Sequence, residues 1–478
     1  MKKFKNNKNF IKKLEEVKQK DIGISTRRVV INNNEIFIIY IKQLTDRDLI
    51  SSSIIKPLLQ FKEDRLSIEE IVSSVIYIDD ISIDDDEDGI INYVLNGKSV
   101  IIIPREKSYI IANTSKVEKR SVEAPDIQTS LKAPRDAFTE NFQTNLSLIR
   151  YRLKDEALKI DNHIVGRRTK TSVSVLYMKD IANEGYVKEV KKRIDQIDVD
   201  GIMESGYVQK LIVDNVFNIF PHVGIAERSD TACANILKGK ICVLVEGSNL
   251  ALIMPQTFGD FLDSGDDHYD NIYLAVFTKF LRYLSITLSL VLSALYVAVV
   301  GFHSDILPPQ FILAVATSRV TVPVNALVEA TLMEGVSELL REASIRLPKQ
   351  IGPAIGIVGT IVIGQAAVAA GLVSPLMVII VSLSTMASFA APDYTILNAI
   401  RIFKFFMIFI TGVFGLFGLV MGYTLIIINL VSSTSFGVPY FSPMAPFNLN
   451  DFKNYILGDI NLIKLRPKYL KTKDRTKH

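Results

Sequence analysis

The chain has 478 residues, enough for two or three domains, and its 55 basic residues nearly balance its 51 acidic ones, for a net charge of +4. The mean hydropathy is positive because long apolar stretches are concentrated after position 280, and this composition excludes an ordinary soluble protein. We predict an integral membrane protein, with a soluble cytoplasmic half of about 270 residues followed by a polytopic helical half that ends near position 432.

The N-terminal segment, residues 1–25, reads as a basic flexible tail. It starts with positive charge as a signal peptide does, but isolated apolar residues such as Phe10 and Leu14 replace the continuous apolar core that a signal peptide needs. We therefore expect the first half to stay in the cytoplasm. The basic run could instead lie on anionic lipid headgroups, which leaves membrane lipid as a possible contact.

Two stretches of the soluble half share one order of elements. Residues 35–45 and 172–181 each read as a buried strand that leads towards a helix, with Tyr40 and Tyr177 aligned. Later, residues 94–103 and 236–245 match again, and each match ends a helix at a glycine, Gly97 or Gly239, before a β-hairpin. Two ordered matches at nearly one offset predict two similar α/β subdomains, residues 26–125 and 126–270.

Candidate chemistry in this half is sparse. The acidic run Asp84–Gly89 fits the start of a calcium loop, but Leu95 occupies the twelfth position, where the loop needs a glutamate. A solvated turn that caps the helix beginning near Ile90 explains the run better. Cys233 and Cys242 have no CxxC or histidine partner, so we expect reduced, half-buried core residues.

A basic loop separates two predicted strands. Arg167, Arg168 and Lys170 follow Gly166, and together they could hold a phosphate or a lipid headgroup. A loop that simply faces the membrane or a partner explains them equally well. Phosphate-loop, nucleophile-elbow and spaced His/Cys motifs are all missing, so the sequence predicts no catalytic residues, metal, cofactor or enzyme activity.

The helical half, residues 271–440, contains four long apolar runs. Lys279 and Arg282 precede the first run, and this asymmetry of positive charge places its start in the cytoplasm. The tail, residues 441–478, is basic and belongs on the same side, so the number of crossings is even. We predict four transmembrane helices, at Tyr283–Phe302, Ile351–Leu372, Leu376–Ala391 and Ile402–Val431.

The segment between the first two runs, Leu307–Lys349, mixes apolar and charged residues. It predicts a re-entrant or interfacial helix rather than a span. Four charged residues share one face of that helix: Glu334, Glu338, Arg341 and Glu342. They form either paired charges on an exposed face or an ion-attracting vestibule.

The helix Ile351–Leu372 has an unusual number of small residues, including Gly352 and Gly356 at GxxxG spacing. One stripe of this helix would line the pore of an oligomer, with a narrow apolar ring beside a ring of amides. The stripe consists of Ile355, Gly359, Val362, Gln365, Ala366 and Ala369. Alternatively, the small residues only pack this helix against Leu376–Ala391.

These residues resemble a known family, the A subunits of the GerA-type spore germinant receptors of endospore-forming bacteria. The resemblance covers about residues 130 to 450, and departs from the family pattern at Ser229 and His268. It rests on Gly166–Thr171, Phe220–Pro221, Glu227–Asp230, Glu246–Ser248, Asp266–Tyr269, Leu339–Pro348, Ile351–Pro353, Gly364–Val368, Val438–Tyr440 and Ala445–Phe447.

The resemblance implies a receptor complex in the spore inner membrane, and the distribution of positive charge described above places both termini of this chain in the cytoplasm. It implies a transporter-like B subunit that binds the nutrient, a lipoprotein C subunit, and no nucleic acid. It also implies that the A subunit forms a homo-oligomer that releases monovalent cations when nutrient arrives. Three functions therefore stand open: a nutrient-gated ion channel subunit, a non-conducting scaffold or signal-coupling subunit, and a membrane-tethered enzyme or nucleotide sensor.

Overall fold

The structure is a computed structural model, and it describes residues 23–31, 34–61, 67–86, 89–104, 106–116, 125, 134, 136–268, 271–345, 351–458 and 465–476. Nearly all of the predicted N-terminal tail lies outside these residues, as do parts of the acidic run and of the C-terminal tail. The described chain comprises two α/β units, a helical region and a C-terminal segment.

The first α/β unit, residues 24–112, is built on an antiparallel five-stranded sheet. Its strand order is β1-β2-β4-β5-β3, and its middle strands are buried on both faces. Part of α1 and part of α2 are wound as π-helix, at Ile50–Ile55 and Ile71–Val75. The elements are β1 (Ile24–Ile31), β2 (Asn34–Ile41), α1 (47–60), α2 (68–75), β3 (Ile81–Asp84), α3 (Gly89–Leu95), β4 (Ser99–Ile102) and β5 (Tyr109–Ala112).

The second unit, residues 142–254, repeats this topology after an additional N-terminal helix. Its strand order, β6-β7-β9-β10-β8, corresponds strand for strand to the order in the first unit. The elements are α4 (Phe142–Arg152), β6 (Leu158–Val165), β7 (Thr171–Met178), α5 (Glu184–Asp195), α6 (Ser205–Ile212), β8 (Gly224–Ala226), α7 (Ser229–Leu237), β9 (Ile241–Val245) and β10 (Ala251–Met254).

The strand register confirms the prediction that the two sheets pair their strands alike. Ile39 pairs with Val100, three residues after Gly97, and Leu176 pairs with Cys242, three residues after Gly239. Tyr40 and Tyr177, one residue further along, therefore occupy equivalent positions. Both glycines have positive φ angles, of 82° and 95°, which glycine adopts with little strain after a helix.

The helical region, residues 272–432, has one apolar core, which also takes in buried side chains from loops of the second unit. Among the described residues, two helices, α8 (Ile272–Phe302) and α13 (Tyr394–Ser432), are long and apolar enough to cross a membrane, so the predicted count of four is not confirmed. The helices are α8 (Ile272–Phe302), α9 (Pro309–Arg319), α10 (Ala326–Ile345), α11 (Gly352–Ala369), α12 (Pro375–Ser388) and α13 (Tyr394–Ser432).

Helix α13 reverses direction at Gly415. This residue has non-helical angles, φ 62° and ψ −143°. A Cβ atom added to Gly422 would lie 2.8 Å from the sulfur of Met407, although fifteen residues of straight helix would separate the two by about 22 Å. The sequence predicted a fourth span over Ile402–Val431 that would tilt or bend at Gly412, Gly415, Gly418 or Gly422. The break does fall at Gly415, but the chain folds back on itself there as a hairpin of two helical arms.

One face of the charged helix α10 packs into the bundle, while Val328, Leu332 and Leu339 on its other face are exposed. The re-entrant or interfacial placement of this helix in a membrane stays a prediction. Its Glu329 and Glu334 side chains are fully buried. These carboxylates can be buried because they have polar or charged partners on other helices, which the sequence of α10 alone does not show. Helix α9 is different, since each of its residues is at least partly exposed.

The C-terminal segment, which begins at Thr434, returns to the second α/β unit, whereas the sequence assigned residues up to 440 to the membrane domain and predicted a basic tail from 441. Phe436 is buried in the core of that unit, and the Ser435 hydroxyl donates to the carbonyl of His222 (2.7 Å). Further on, the Lys473 amide donates to the carbonyl of Ile181 (2.9 Å). Its elements are β11 (Thr434–Ser435), β12 (Val438–Pro439) and α14 (Leu449–Leu457). Within the predicted basic tail itself, Leu470 is buried, with an exposure of 1%, so apolar residues also hold this part of the chain.

Candidate functional site

The predicted pore stripe lies mostly on the outer face of α11. Val362 is 56% exposed, Ile355 is 47% exposed, and the side chains of Gln365, Ala366 and Ala369 are exposed as well. Gly359 differs, because it is only partly exposed and faces Leu340 of α10. The structure thus brings five of the six residues to a surface that no other described part of the chain covers.

Other small residues of α11 pack inside the chain. A Cβ atom on Gly364 would lie 2.6 Å from Val378 of α12, and one on Gly356 would lie 3.5 Å from Ser344 of α10. The buried Thr360 hydroxyl donates to the carbonyl of Gly356 (2.9 Å) within the helix. Both functions that the sequence left open for the small residues are therefore geometrically compatible, on opposite faces of one helix.

A buried ion pair joins α10 to the first arm of α13. The Lys404 ammonium lies 3.0 Å from the carboxylate of Glu334, and both side chains are almost completely buried, with exposures of 1% and 0%. The Ser293 hydroxyl of α8 donates a second hydrogen bond to Glu334 (2.5 Å). Because each charge has a partner, the pair is stable where an isolated charge would not be.

The next turns of α10 continue this polar contact. Glu338 accepts from the guanidinium of Arg401 (2.6 Å), and Arg341 donates to the Ser388 hydroxyl of α12 (2.7 Å). Arg341 also lies over the ring of Phe389, 5.0 Å from its centroid. Of the four residues that the sequence placed on one face, Glu334, Glu338 and Arg341 meet polar or charged partners on neighbouring helices, whereas Glu342 is exposed.

Glu329 forms a further buried contact at the other end of α10. Its carboxylate accepts from the backbone amide of Ser374 (2.7 Å) and from the Tyr296 hydroxyl (3.1 Å). Arg319, the last residue of α9, approaches the same carboxylate at 3.5 Å. This contact ties α8, α9 and the start of α12 to α10.

Sequence reasoning missed Arg401, Lys404 and the role of Glu329. A signal was present, since acidic residues stand four apart at Glu334 and Glu338 while basic residues stand three apart at Arg401 and Lys404. Both spacings place their members on one helix face. Two complementary faces in apolar surroundings indicate a pair of packed helices.

The basic loop lies on the surface of the second unit, between β6 and β7. Arg167 binds the Asp198 carboxylate through two 2.5 Å hydrogen bonds, and Arg168 lies 3.9 Å from Asp200. The bond to Asp198 raises the pKa of Arg167, and the same bond lowers the pKa of Asp198. Lys170 is exposed with a φ angle of 49°. Acidic neighbours thus offset part of the positive charge of the loop.

The acidic run and the two cysteines are the remaining candidates from the sequence. Asp84 accepts a hydrogen bond from the Tyr93 hydroxyl (2.9 Å) close to the start of α3, and within the described residues its acidic neighbours do not form a group that could hold a metal. Cys233 and Cys242 are free and fully buried, more so than predicted. Burial raises the pKa of the Cys233 thiol to about 12 and that of Cys242 further still, which makes both thiols unreactive.

Comparison with known proteins gives one consistent result. Residues 8–469 match the family model described as Bacillus/Clostridium GerA spore germination protein. Spore germination protein KA of Bacillus subtilis is 37% identical over 455 residues, which cover 93% of this chain and 84% of that protein. The uncharacterized membrane protein YfkQ of the same organism is 33% identical over 419 residues, covering 87% and 82%.

One solved structure is also similar. It is the crystal structure of the N-terminal domain of the A subunit of the Bacillus megaterium spore germinant receptor GerK3, with 28% sequence identity and a TM-score of 0.39. The match covers 51% of this chain and 94% of that one.

Proposed function

The chain belongs to the GerA family of Bacillus/Clostridium spore germination proteins, and from this membership we propose that it is the A subunit of a nutrient germinant receptor. In this proposal it acts in the spore inner membrane with a transporter-like B subunit and a lipoprotein C subunit. Its α/β units form a cytoplasmic, non-enzymatic platform, and several copies assemble into a cation channel. The two apolar helices α8 and α13 support the membrane location.

The observation that carries the channel proposal is the outer face of α11. Gln365 stands exposed in an otherwise apolar stripe, and an exposed amide in contact with lipid tails would lack hydrogen-bond partners. In an oligomer with α11 around the axis, these amides contact water and passing ions instead. Val362, about one turn earlier, then forms a hydrophobic constriction that closes by dewetting.

The alternative is a non-conducting scaffold that passes the nutrient signal on. The buried contacts of α10 favour it, because Glu334 and Lys404 neutralise each other and do not present free charge to a vestibule. A bundle whose helices are joined by such ion pairs can pass a displacement from one partner subunit to another. The two functions differ in one measurable property, the release of cations through this chain.

Val362→Ala tests the channel directly. The substitution removes two methyl groups from the constriction, so dormant spores should lose potassium without nutrient while the variant stays near its normal abundance. Potassium release is followed with an ion-selective electrode, and abundance by immunoblot of spore membranes.

Val368→Ala is the matched control. Val368 packs against the core of the helical region, so the same loss of two methyl groups should destabilise by about 1 kcal/mol or more and lower abundance without leak. A Val362→Ala variant with normal abundance, no leak and an unchanged nutrient response would contradict the pore. Reduced abundance of both variants without leak would assign α11 to packing alone and favour the scaffold.

A further inference from the structure

An unusual turn of the second unit displays a phenylalanine to the outside. Phe217 is 94% exposed, and Val216 beside it is 61% exposed. The turn has a defined conformation, because the Asn215 side chain accepts from the Phe217 amide (2.9 Å) and the Asn215 carbonyl accepts from the Asn218 amide (3.2 Å). The exposed ring therefore projects from an ordered turn.

Contacts on the far side of the turn place it beside the helical region. The Asn218 side chain donates to the hydroxyl of Ser433, the residue after the end of α13 (2.8 Å). Two residues later, Phe220 is buried and stacks on Phe403 of α13, with 4.9 Å between ring centroids. Phe403 belongs to the third helical turn of α13, near the N-terminal end of that helix. The turn Asn215–Asn218 therefore lies beside the ends of α13 and not beside its middle.

The surface of α13 near this turn is also apolar and exposed. Val431 is 45% exposed and Ile428 is 56% exposed, as expected for side chains that face lipid tails. The exposed Phe217 and Val216 lie beside the end of this helix, because Asn218 of the same turn binds Ser433. Helix α6, which immediately precedes the turn in the chain, exposes Tyr207, Leu211 and Lys210.

We propose that the turn Asn215–Asn218 is a lipid anchor, with Phe217 inserted at the boundary between headgroups and acyl chains of an anionic bilayer. Phenylalanine and leucine side chains of interfacial segments bury at this boundary, and a lysine such as Lys210 is attracted to anionic headgroups. The inference rests on the proposed membrane location of the helical region. Its consequence is that the second α/β unit is held against the membrane at a second point, besides the helix ends.

Site-directed spin labelling of the full chain, reconstituted with its partner subunits in phosphatidylcholine–phosphatidylglycerol vesicles, tests the anchor. Three variants carry the label: Phe217→Cys, Ile428→Cys on the lipid-facing surface, and Ile164→Cys, an exposed apolar residue of strand β6. The native Cys233 and Cys242 are buried and remain unlabelled. Each label's accessibility to oxygen, which enters lipid, is compared with its accessibility to a nickel chelate, which stays in water.

We expect the label at position 217 to resemble the one at 428, with an oxygen-to-nickel accessibility ratio several-fold above that at 164. A ratio equal to that at 164 would mean that Phe217 faces water, and protection from both reagents would mean that a protein covers it; either result overturns the anchor. If the label at 428 is exposed to lipid while the label at 217 gives one of those two results, the anchor is wrong but the membrane location of the helical region is retained. Aqueous labels at both positions would overturn the membrane placement and the anchor together.

Discussion

In the helical region, charged side chains are the ones whose burial costs the most free energy, and Glu334 with Lys404 is the clearest case. Both are buried almost completely, so either charge left alone would lose hydration without compensation. We expect Glu334→Leu or Lys404→Met to lower stability by about 3–5 kcal/mol each. The double substitution, which removes both charges, should recover much of that loss. Thermal unfolding of the purified receptor in detergent measures the effects.

Glu342→Leu serves as the control for this comparison, because Glu342 is exposed on the same helix and its loss should change the unfolding temperature little. The decisive quantity is the coupling between positions 334 and 404. Additive losses in the double variant would show that the two charges do not stabilise each other. The contact between α10 and α13 would then depend on apolar packing.

At the scale of elements, the reversal of α13 depends on Gly415. Its backbone angles belong to a region that is essentially restricted to glycine, and an added Cβ would lie 3.0 Å from both Phe302 and His303. Gly415→Ala should therefore destabilise by about 1–3 kcal/mol and reduce the abundance of the protein in membranes. Apparent unfolding temperature and immunoblotting are the measurements.

Gly301 provides a matched glycine for this test. It lies in the last turns of α8, and a Cβ atom there would meet nothing within 4 Å. Gly301→Ala should be neutral or slightly stabilising, since alanine favours a helix over glycine by about 1 kcal/mol. Equal behaviour of the two variants would argue that the chain does not reverse at Gly415.

The sequence predicted some elements well because their signals are local. Gly97 and Gly239 each end a helix and precede a buried strand, and this repeated local pattern was sufficient to predict two sheets with one topology. The hairpin of α13 was missed because Gly412, Gly415, Gly418 and Gly422 all fit a flexible apolar run, and only contacts distant in sequence select Gly415 as the reversal. The burial of α10 was missed for the same reason, since Glu334 requires Lys404 seventy residues later.

At the scale of the whole molecule, the helical region begins and ends on the second α/β unit. The start of α8 is tied to the segment between that unit and the helix, because Lys279 pairs with Asp263 (2.8 Å) and Arg282 with Asp267 (2.9 Å). That segment is held to the unit in turn, since Asp260 pairs with the buried Lys240 (2.8 Å). After α13, Ser435 and Phe436 return to the same unit. Both ends of the helical region therefore lie on one side, which supports an even number of crossings whatever the exact count.

This arrangement predicts where introduced cysteines are accessible. Lys116→Cys follows the first unit and Arg475→Cys lies in the C-terminal segment, and both positions are exposed on the side of the α/β units. Ser304→Cys lies just beyond the far end of α8, about 46 Å along that helix from its start, a length greater than the hydrocarbon core of a bilayer. With the α/β units in the cytoplasm, an impermeant maleimide applied to intact cells should label position 304 and spare 116 and 475 until the membrane is permeabilised. Labelling of 116 and 475 but not of 304 would invert the proposed orientation, and labelling of only one of those two would contradict their placement on a common side.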